Sequence, residues 1–238
     1  MLLAAALASV ASAGERGVKE RDAAAVFEVP AQAALARAAC AGDRQALQAA
    51  LASGADLEGE GAERTTPLLW AVGCGSEAGV EALLEAGADP NHDNGRFSPV
   101  FAAATRHDPA CLRVLLARGG DANALDRKSG KTAIAAALAL GVHGRGWAGY
   151  ELLLDRADLE RADSSGWTIA FQAAALNQYD RVAELLERGY SRDLEYLGRL
   201  VSTGRVDLEP QRSWQAKVIA MLEARGVRFP VAPRHPAR

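Results

Sequence analysis

Residues 83–91 read LLEAGADPN, and nearly the same phrase returns as LLARGGDAN at 115–123, as LLDRADLE at 153–160 and, earlier, as ALASGADLE at 50–58. With the acidic residue as the ruler, Asp56 to Asp89 is 33 residues, Asp89 to Asp121 is 32 and Asp121 to Asp158 is 37. A second phrase keeps the same time: TPLLWAV at 66–72, SPVFAAA at 98–104, TAIAAAL at 132–138 and TIAFQAA at 168–174. Two marks recurring in fixed order at one period mean a chain built from copies of one unit, each too small to bury its own apolar face.

The physics of the unit is legible in its letters. A Ser or Thr ahead of an apolar run supplies an oxygen for the orphan amides of a first helical turn, and Pro67 and Pro99 suit the first helical position. Alanines such as Ala71, Ala103, Ala137 and Ala173 keep this first helix thin, so neighbours can approach. A second helix follows, with apolar residues three and four apart, as in Val80 to Leu84, Leu112 to Leu116 and Val182 to Leu186. Gly87, Gly119 and Gly189 then stop it, because glycine takes the left-handed geometry of a helix end.

With both marks in hand, residues 31–194 resemble the ankyrin repeat, a 33-residue turn-helix-helix unit carrying T-P-L-H-x-A at its first helix. The resemblance implies an all-α ankyrin-repeat solenoid with recognisable repeats over 62–194, an amino-terminal cap at 31–61 and a divergent carboxy-terminal cap at 195–226. Trp214 is expected to anchor the core of that last pair. The histidine of the motif is replaced by Leu69, Phe101, Ala135 and Phe171, so apolar packing must take over its tying role. Residues 14–30 read as a mobile linker and 227–238 as a disordered proline-rich tail.

Composition narrows the partners. Among 238 residues 49% are hydrophobic but only 5% aromatic, and the formal net charge is −3. No electrostatic footprint for nucleic acid or an anionic membrane is present, and no internal run approaches the ~20 apolar residues of a membrane span. At the amino terminus Leu2 to Val10 is apolar and meets Ala11-Ser12-Ala13, a small-residue site of the signal-peptide kind, which places residues 1–13 as a signal and Gly14 as the mature start. No Lys or Arg follows Met1 and the run is short, so an alanine-rich tail on a cytoplasmic protein is the competing reading.

The three cysteines, Cys40, Cys74 and Cys111, leave one unpaired in any arrangement. Neighbouring helix axes stand about 8 to 10 Å apart, whereas a disulfide needs Cα atoms within about 7 Å, and small buried thiols are expected. The histidines, His92, His107, His143 and His235, share no metal-binding spacing, and no G-x-S-x-G elbow is present; neither metal nor catalytic residues nor a cofactor are assigned. GRGWAG at 144–149 matches G-x-G-x-x-G, but the alanine-rich KTAIAAALALG ahead of it fills a helix slot where a dinucleotide site needs a strand. The stretch 141–149 is a lengthened turn, either decoration or a functional loop carrying Trp147.

What the resemblance implies about function is non-covalent binding of a partner protein, by a chain that is monomeric until bound. Turn tips and the outward side of the first helices would form the recognition face. That places Thr65, Phe97, Lys131 and Trp167 at the tips, and Arg106, Leu140 and Leu176 on the helices, each either an interface residue or a contact to its neighbour. The resemblance extends to small exported bacterial ankyrin proteins, some of which block a secreted toxic enzyme while others support a periplasmic one. The rival reading is a catalytic or nucleotide-binding protein that uses the glycine-rich insertion.

Overall fold

The computed structural model describes residues 22–204, 206 and 208–231; the expected signal, its cleavage at Gly14 and His235 lie outside them. Among the described residues there are twelve α-helices and no strand, only an isolated bridge between Leu125 and Thr132. The chain divides into two units, residues 1–157 and 158–238. In the first, four helix pairs follow one another: α1 (Pro30–Ala41) with α2 (Arg44–Ala52), α3 (Pro67–Cys74) with α4 (Glu77–Glu85), α5 (Pro99–Ala104) with α6 (Ala110–Ala117), and α7 (Ala133–Val142) with α8 (Ala148–Leu154). The second holds α9 (Ile169–Ala175) with α10 (Tyr179–Glu187), and α11 (Leu194–Thr203) with α12 (Gln211–Glu223).

The recurring hydroxyl caps the first helix of each full repeat. Thr66, Ser98, Thr132 and Thr168 accept from the amides of Leu69, Phe101, Ala135 and Phe171 at 3.2, 3.4, 3.3 and 3.4 Å. All four are buried, where an unsatisfied amide would be costly. Gly87, Gly119 and Gly189 carry φ of 104°, 89° and 94°, as a helix stop requires.

The repeated GAD-x-N phrase has a mechanical reason that the spacing alone does not reveal. Asp56, Asp89, Asp121 and Asp158 each accept from the amide two residues on, at 3.0, 2.8, 2.8 and 2.9 Å, a side-chain-closed turn. The turn aims the residue at its end into the next repeat. Glu58 accepts from the amide of Asp89 at 2.7 Å, Asn91 from that of Asp121 at 2.7 Å, and Glu160 from that of Ser191 at 2.9 Å. Asn91 also donates to the carbonyl of Gly119 at 3.0 Å. The mark is a tie between units, which is why it keeps the period.

The expectations for the cysteines and for Trp214 are corrected. Cys40 and Cys74 form a disulfide, with Cα atoms 5.5 Å apart and a sequence separation of 34. Axis spacing was the wrong measure: each Cα lies about 2.3 Å off its helix axis, so facing Cα atoms stand several ångströms closer than the axes. Alanine and glycine permit this approach. A Cβ on Gly79 of α4 would lie 1.8 Å from the carbonyl oxygen of Ala39 on α1. Closing a loop of 34 residues is worth about 4 kcal/mol in loop entropy. The remaining thiol, Cys111, is buried, and burial pushes it up to about 11.

Residues 22–29, the described part of the stretch ahead of α1, pack against the repeats. Asp22 caps a short 3-10 turn at Ala23–Ala25, Phe27 is 1% exposed and meets Trp70 edge to face at 6.0 Å, and the carbonyl of Val26 accepts from the amide of Ala62 at 2.7 Å. Residues 22–29 therefore strap the inner side of α1 and α3. At the other end the tail begins as packed chain, with Val227 buried and Val227, Phe229 and Val231 close around Gly198. Trp214 is only half-buried, with Lys217 Nζ 4.5 Å from its ring centroid; the core of that pair is Val201, Leu197, Val218 and Leu222.

Candidate partner-binding face

Counting from the capping hydroxyl defines which side chains each first helix offers on its inner side. Four residues on stand Trp70, Ala102, Ala136 and Gln172; eight residues on stand Cys74, Arg106, Leu140 and Leu176. Trp70 is 9% exposed beneath the strap, and Leu176 is 43% exposed. Cys74, Arg106, Ala136, Leu140 and Gln172 are half-buried. The frame is constant while these positions change from repeat to repeat.

Of the tip residues, Thr65 and Phe97 are 5% exposed and do not form a surface. Phe97 lies against Phe101 at 6.1 Å, beneath the guanidinium of Arg96 at 5.4 Å, while its amide and that of Arg96 bond the Asn94 side chain. The hairpin that lifts it clear of the helix thus folds it back under its own tip. Trp167 is half-buried and edge-on to Tyr196 at 6.5 Å, which meets Phe171 at 4.9 Å. This aromatic series occupies the place of the motif's missing histidine. Tyr190 completes it through a 2.8 Å bond with Thr168, and burial pushes the Tyr190 hydroxyl up to about 12. Lys131 is exposed.

The tips of the first unit are laced by charge. Arg127 donates to Asp93 at 2.9 and 2.6 Å, and Arg96 reaches Asp126 at 3.4 Å. Burial opposes the charge on Asp126, but bonds from the Ser129 hydroxyl and the Lys128 amide, with Arg96 alongside, outweigh it and hold the carboxyl below its ordinary value. Asp93 is held low in the same way by Arg127 and the amide of Gly95. His92 stands 3.2 Å from Glu58 and 3.6 Å from Glu60.

Arg106 and Trp147 serve the fold. Arg106 Nη1 donates to the carbonyl of Gly73 at 2.9 Å, across to the preceding repeat. Trp147 is half-buried on Gly141, where a Cβ would lie 2.3 Å from the indole, and meets the buried Tyr150 edge to face at 5.8 Å. His107 contacts the carbonyl of Arg145, seating the insertion on the repeat before it. The stretch ahead of GRGWAG is helix α7, so the strand that a dinucleotide cradle requires is absent from its place. Among the described residues no group of three His, Cys, Asp or Glu side chains could hold a metal ion, and no helix is long and apolar enough to cross a membrane.

Comparison with known proteins now bears on this frame. The family described as "Ankyrin repeats (3 copies)" matches residues 100–195, and "Ankyrin repeat" matches residues 63–95. The chain is an ankyrin-repeat protein. It is similar to the human ASB11 ankyrin repeat domain, whose crystal structure superposes with a TM-score of 0.56 at 26% identity, over 82% of this chain and 85% of that one. It is also 36% identical over 116 residues to Protein PhlB of Serratia liquefaciens, a match covering 48% of this chain and 51% of PhlB. The chain thus spans about half the length of that curated relative. An ankyrin array is a protein-interaction scaffold, and that is the functional class of this chain.

The sequence reading missed Phe27, the disulfide and the ties made by Glu58 and Glu160. The register pointed to the disulfide, since Cys40 and Cys74 are separated by 34 residues, the period of the repeat, which puts them at like positions on adjoining helices; the axis spacing overrode it.

Proposed function

We propose that this chain is an exported, non-enzymatic binding protein that holds a secreted or periplasmic enzyme through the inner side of its ankyrin helices, either blocking it or supporting it. The observation that carries the reading is the alternation of constant and variable positions. Caps recur as Thr or Ser and ties as Glu or Asn at one period, whereas the inner-side positions not taken up by the fold, such as Ala136, Leu140 and Leu176, differ in size and exposure, as recognition of one particular partner requires and a scaffold alone does not. The disulfide supports export, because such bonds persist in oxidising compartments and are rare in the cytosol. Lys131 and Leu176 are the exposed residues to probe, each within its own unit.

The test is co-purification of the native protein from the periplasm or medium, with mass spectrometry of the captured protein and of the chain's own amino terminus. Lys131→Glu and Leu176→Glu should weaken capture while leaving the thermal melt in place. Capture unchanged in both variants would remove the inner face from the reading, and an intact Met1 on a cytosolic product would remove export. The rival, a nucleotide or catalytic site in 141–149, has Gly141 and Trp147 engaged in packing against each other. Titration with nicotinamide and flavin nucleotides that produced saturable binding would revive it.

A further inference from the structure

The first helix pair is attached to the rest of its unit differently from the pairs that follow. Its far side carries a groove lined by Ala31, Ala34, Ala38, Ala46 and Ala49, so among the described residues it is packed from one side. Apart from the strap's Phe27 on Trp70, its apolar anchors are mostly small: α2 buries Leu47 and Ala50, and α1 buries Leu35, with Gln32 and alanines making up the rest. The α5–α6 pair buries Val100, Phe101, Leu112, Leu115 and Leu116 besides its alanines. The polar ties of the first pair, Glu58 to Asp89, His92 to Glu58 and Arg44 to Glu85, involve exposed or half-exposed side chains, and such pairs hold weakly.

One covalent bond compensates. Cys40 and Cys74 lie at the ends of α1 and α3, and both are only partly buried. The strap packs over them, with Ala23, Val26 and Phe27 in one cluster with Trp70 and the two cysteines. Repeat arrays open locally from their ends, because each unit touches only its neighbours. A bond that closes a loop of 34 residues shifts such an opening by roughly several hundredfold.

We propose that the Cys40–Cys74 disulfide is a redox latch for the amino-terminal cap: its reduction by a dithiol releases residues 22–61, strap included, and uncovers the inner face at Trp70. The thiolate of the dithiol attacks one of the two sulfurs and forms a mixed disulfide; its second thiol then displaces the mixed bond. Cys40 and Cys74 gain two protons and two electrons between them, and the dithiol leaves as its own disulfide. The cap is therefore held more tightly in an oxidising compartment than in a reducing one. This holds whatever the partner is, and the export reading is judged separately by the amino terminus of the native product.

Hydrogen exchange on the full chain, with and without dithiothreitol, reads the latch directly, with thiol labelling to establish that Cys40 and Cys74 are free. Amides of α1 and α2 should exchange roughly several hundredfold faster on reduction, with α5 to α8 changing little. A Cys40→Ser, Cys74→Ser double variant should show the fast pattern without reductant and no further response to it. Unchanged protection in α1 and α2 once the thiols are free would overturn the proposal. So would an equal loss of protection across α1 to α8, which would make the bond a staple for the whole unit.

Discussion

Replacing Gly79 by alanine sets two effects of opposite sign against each other. Gly79 lies inside α4, where glycine costs about 0.8 to 1.0 kcal/mol relative to alanine in helix propensity alone. Propensity therefore expects Gly79→Ala to stabilise. The tertiary structure expects the reverse, because the new Cβ would lie 1.8 Å from the Ala39 carbonyl oxygen and 2.7 Å from its carbon, both backbone atoms that no rotamer change can move. To reach ordinary contact α4 must back away from α1 by more than an ångström. A gap of that size forfeits a quarter to a half of the dispersion wells of the side chains involved, here Val80 and Leu83, both fully buried. Overpacking of this kind costs typically 1 to 3 kcal/mol, occasionally more, and against the propensity gain of about 1 kcal/mol the expected net loss is about 1 kcal/mol. At roughly 2 to 4 °C per kcal/mol for a chain of this size, the melting temperature should fall by about 2 to 4 °C. Gly73→Ala is the control: it too is helical, but its Cβ would meet nothing within 4 Å, so it should gain up to about 1 kcal/mol. Thermal melts by circular dichroism under oxidising conditions compare the two. If both variants gain stability, α4 does not approach α1 as described, and the account of the alanine- and glycine-lined seam is wrong.

Asn91→Ala removes two inter-repeat bonds, to Asp121 and Gly119, and should cost about 1 to 3 kcal/mol by urea denaturation; a cost below half a kcal/mol would show that the tie does not bear load. Phe97→Ala should destabilise by about 3 to 5 kcal/mol, since the ring is buried, and a variant that melts normally would return Phe97 to the surface. The Asp126 carboxyl is held low in the folded state, so its contribution is fully present above the unfolded value of about 4 and is lost as pH falls from there through the lower folded value. Melts between pH 6 and pH 3 should therefore decline less steeply in Asp126→Asn than in the native chain, and parallel curves would count against the Ser129, Lys128 and Arg96 contacts.

Local devices could be read directly from the letters. A capping hydroxyl bonds an amide three residues away, and a terminal glycine adopts its own dihedral angle, so Thr66, Ser98, Thr132, Thr168, Gly87, Gly119 and Gly189 needed no knowledge of their neighbours. Helix count, order and period followed from them, and so did the family. The tertiary structure decided everything that depends on what lies opposite. Phe97 and Thr65 hold the tip position by sequence, yet the turn folds both inward, Phe97 onto Phe101 beneath Arg96, because exposure is set by where the folded turn places a side chain and not by its position in the repeat. Cys40 and Cys74 needed the close approach of α1 and α3, which alanines permit but do not announce. Phe27 sits in a stretch with no periodicity, and only the uncovered Trp70 across from it gives that residue a reason to be buried.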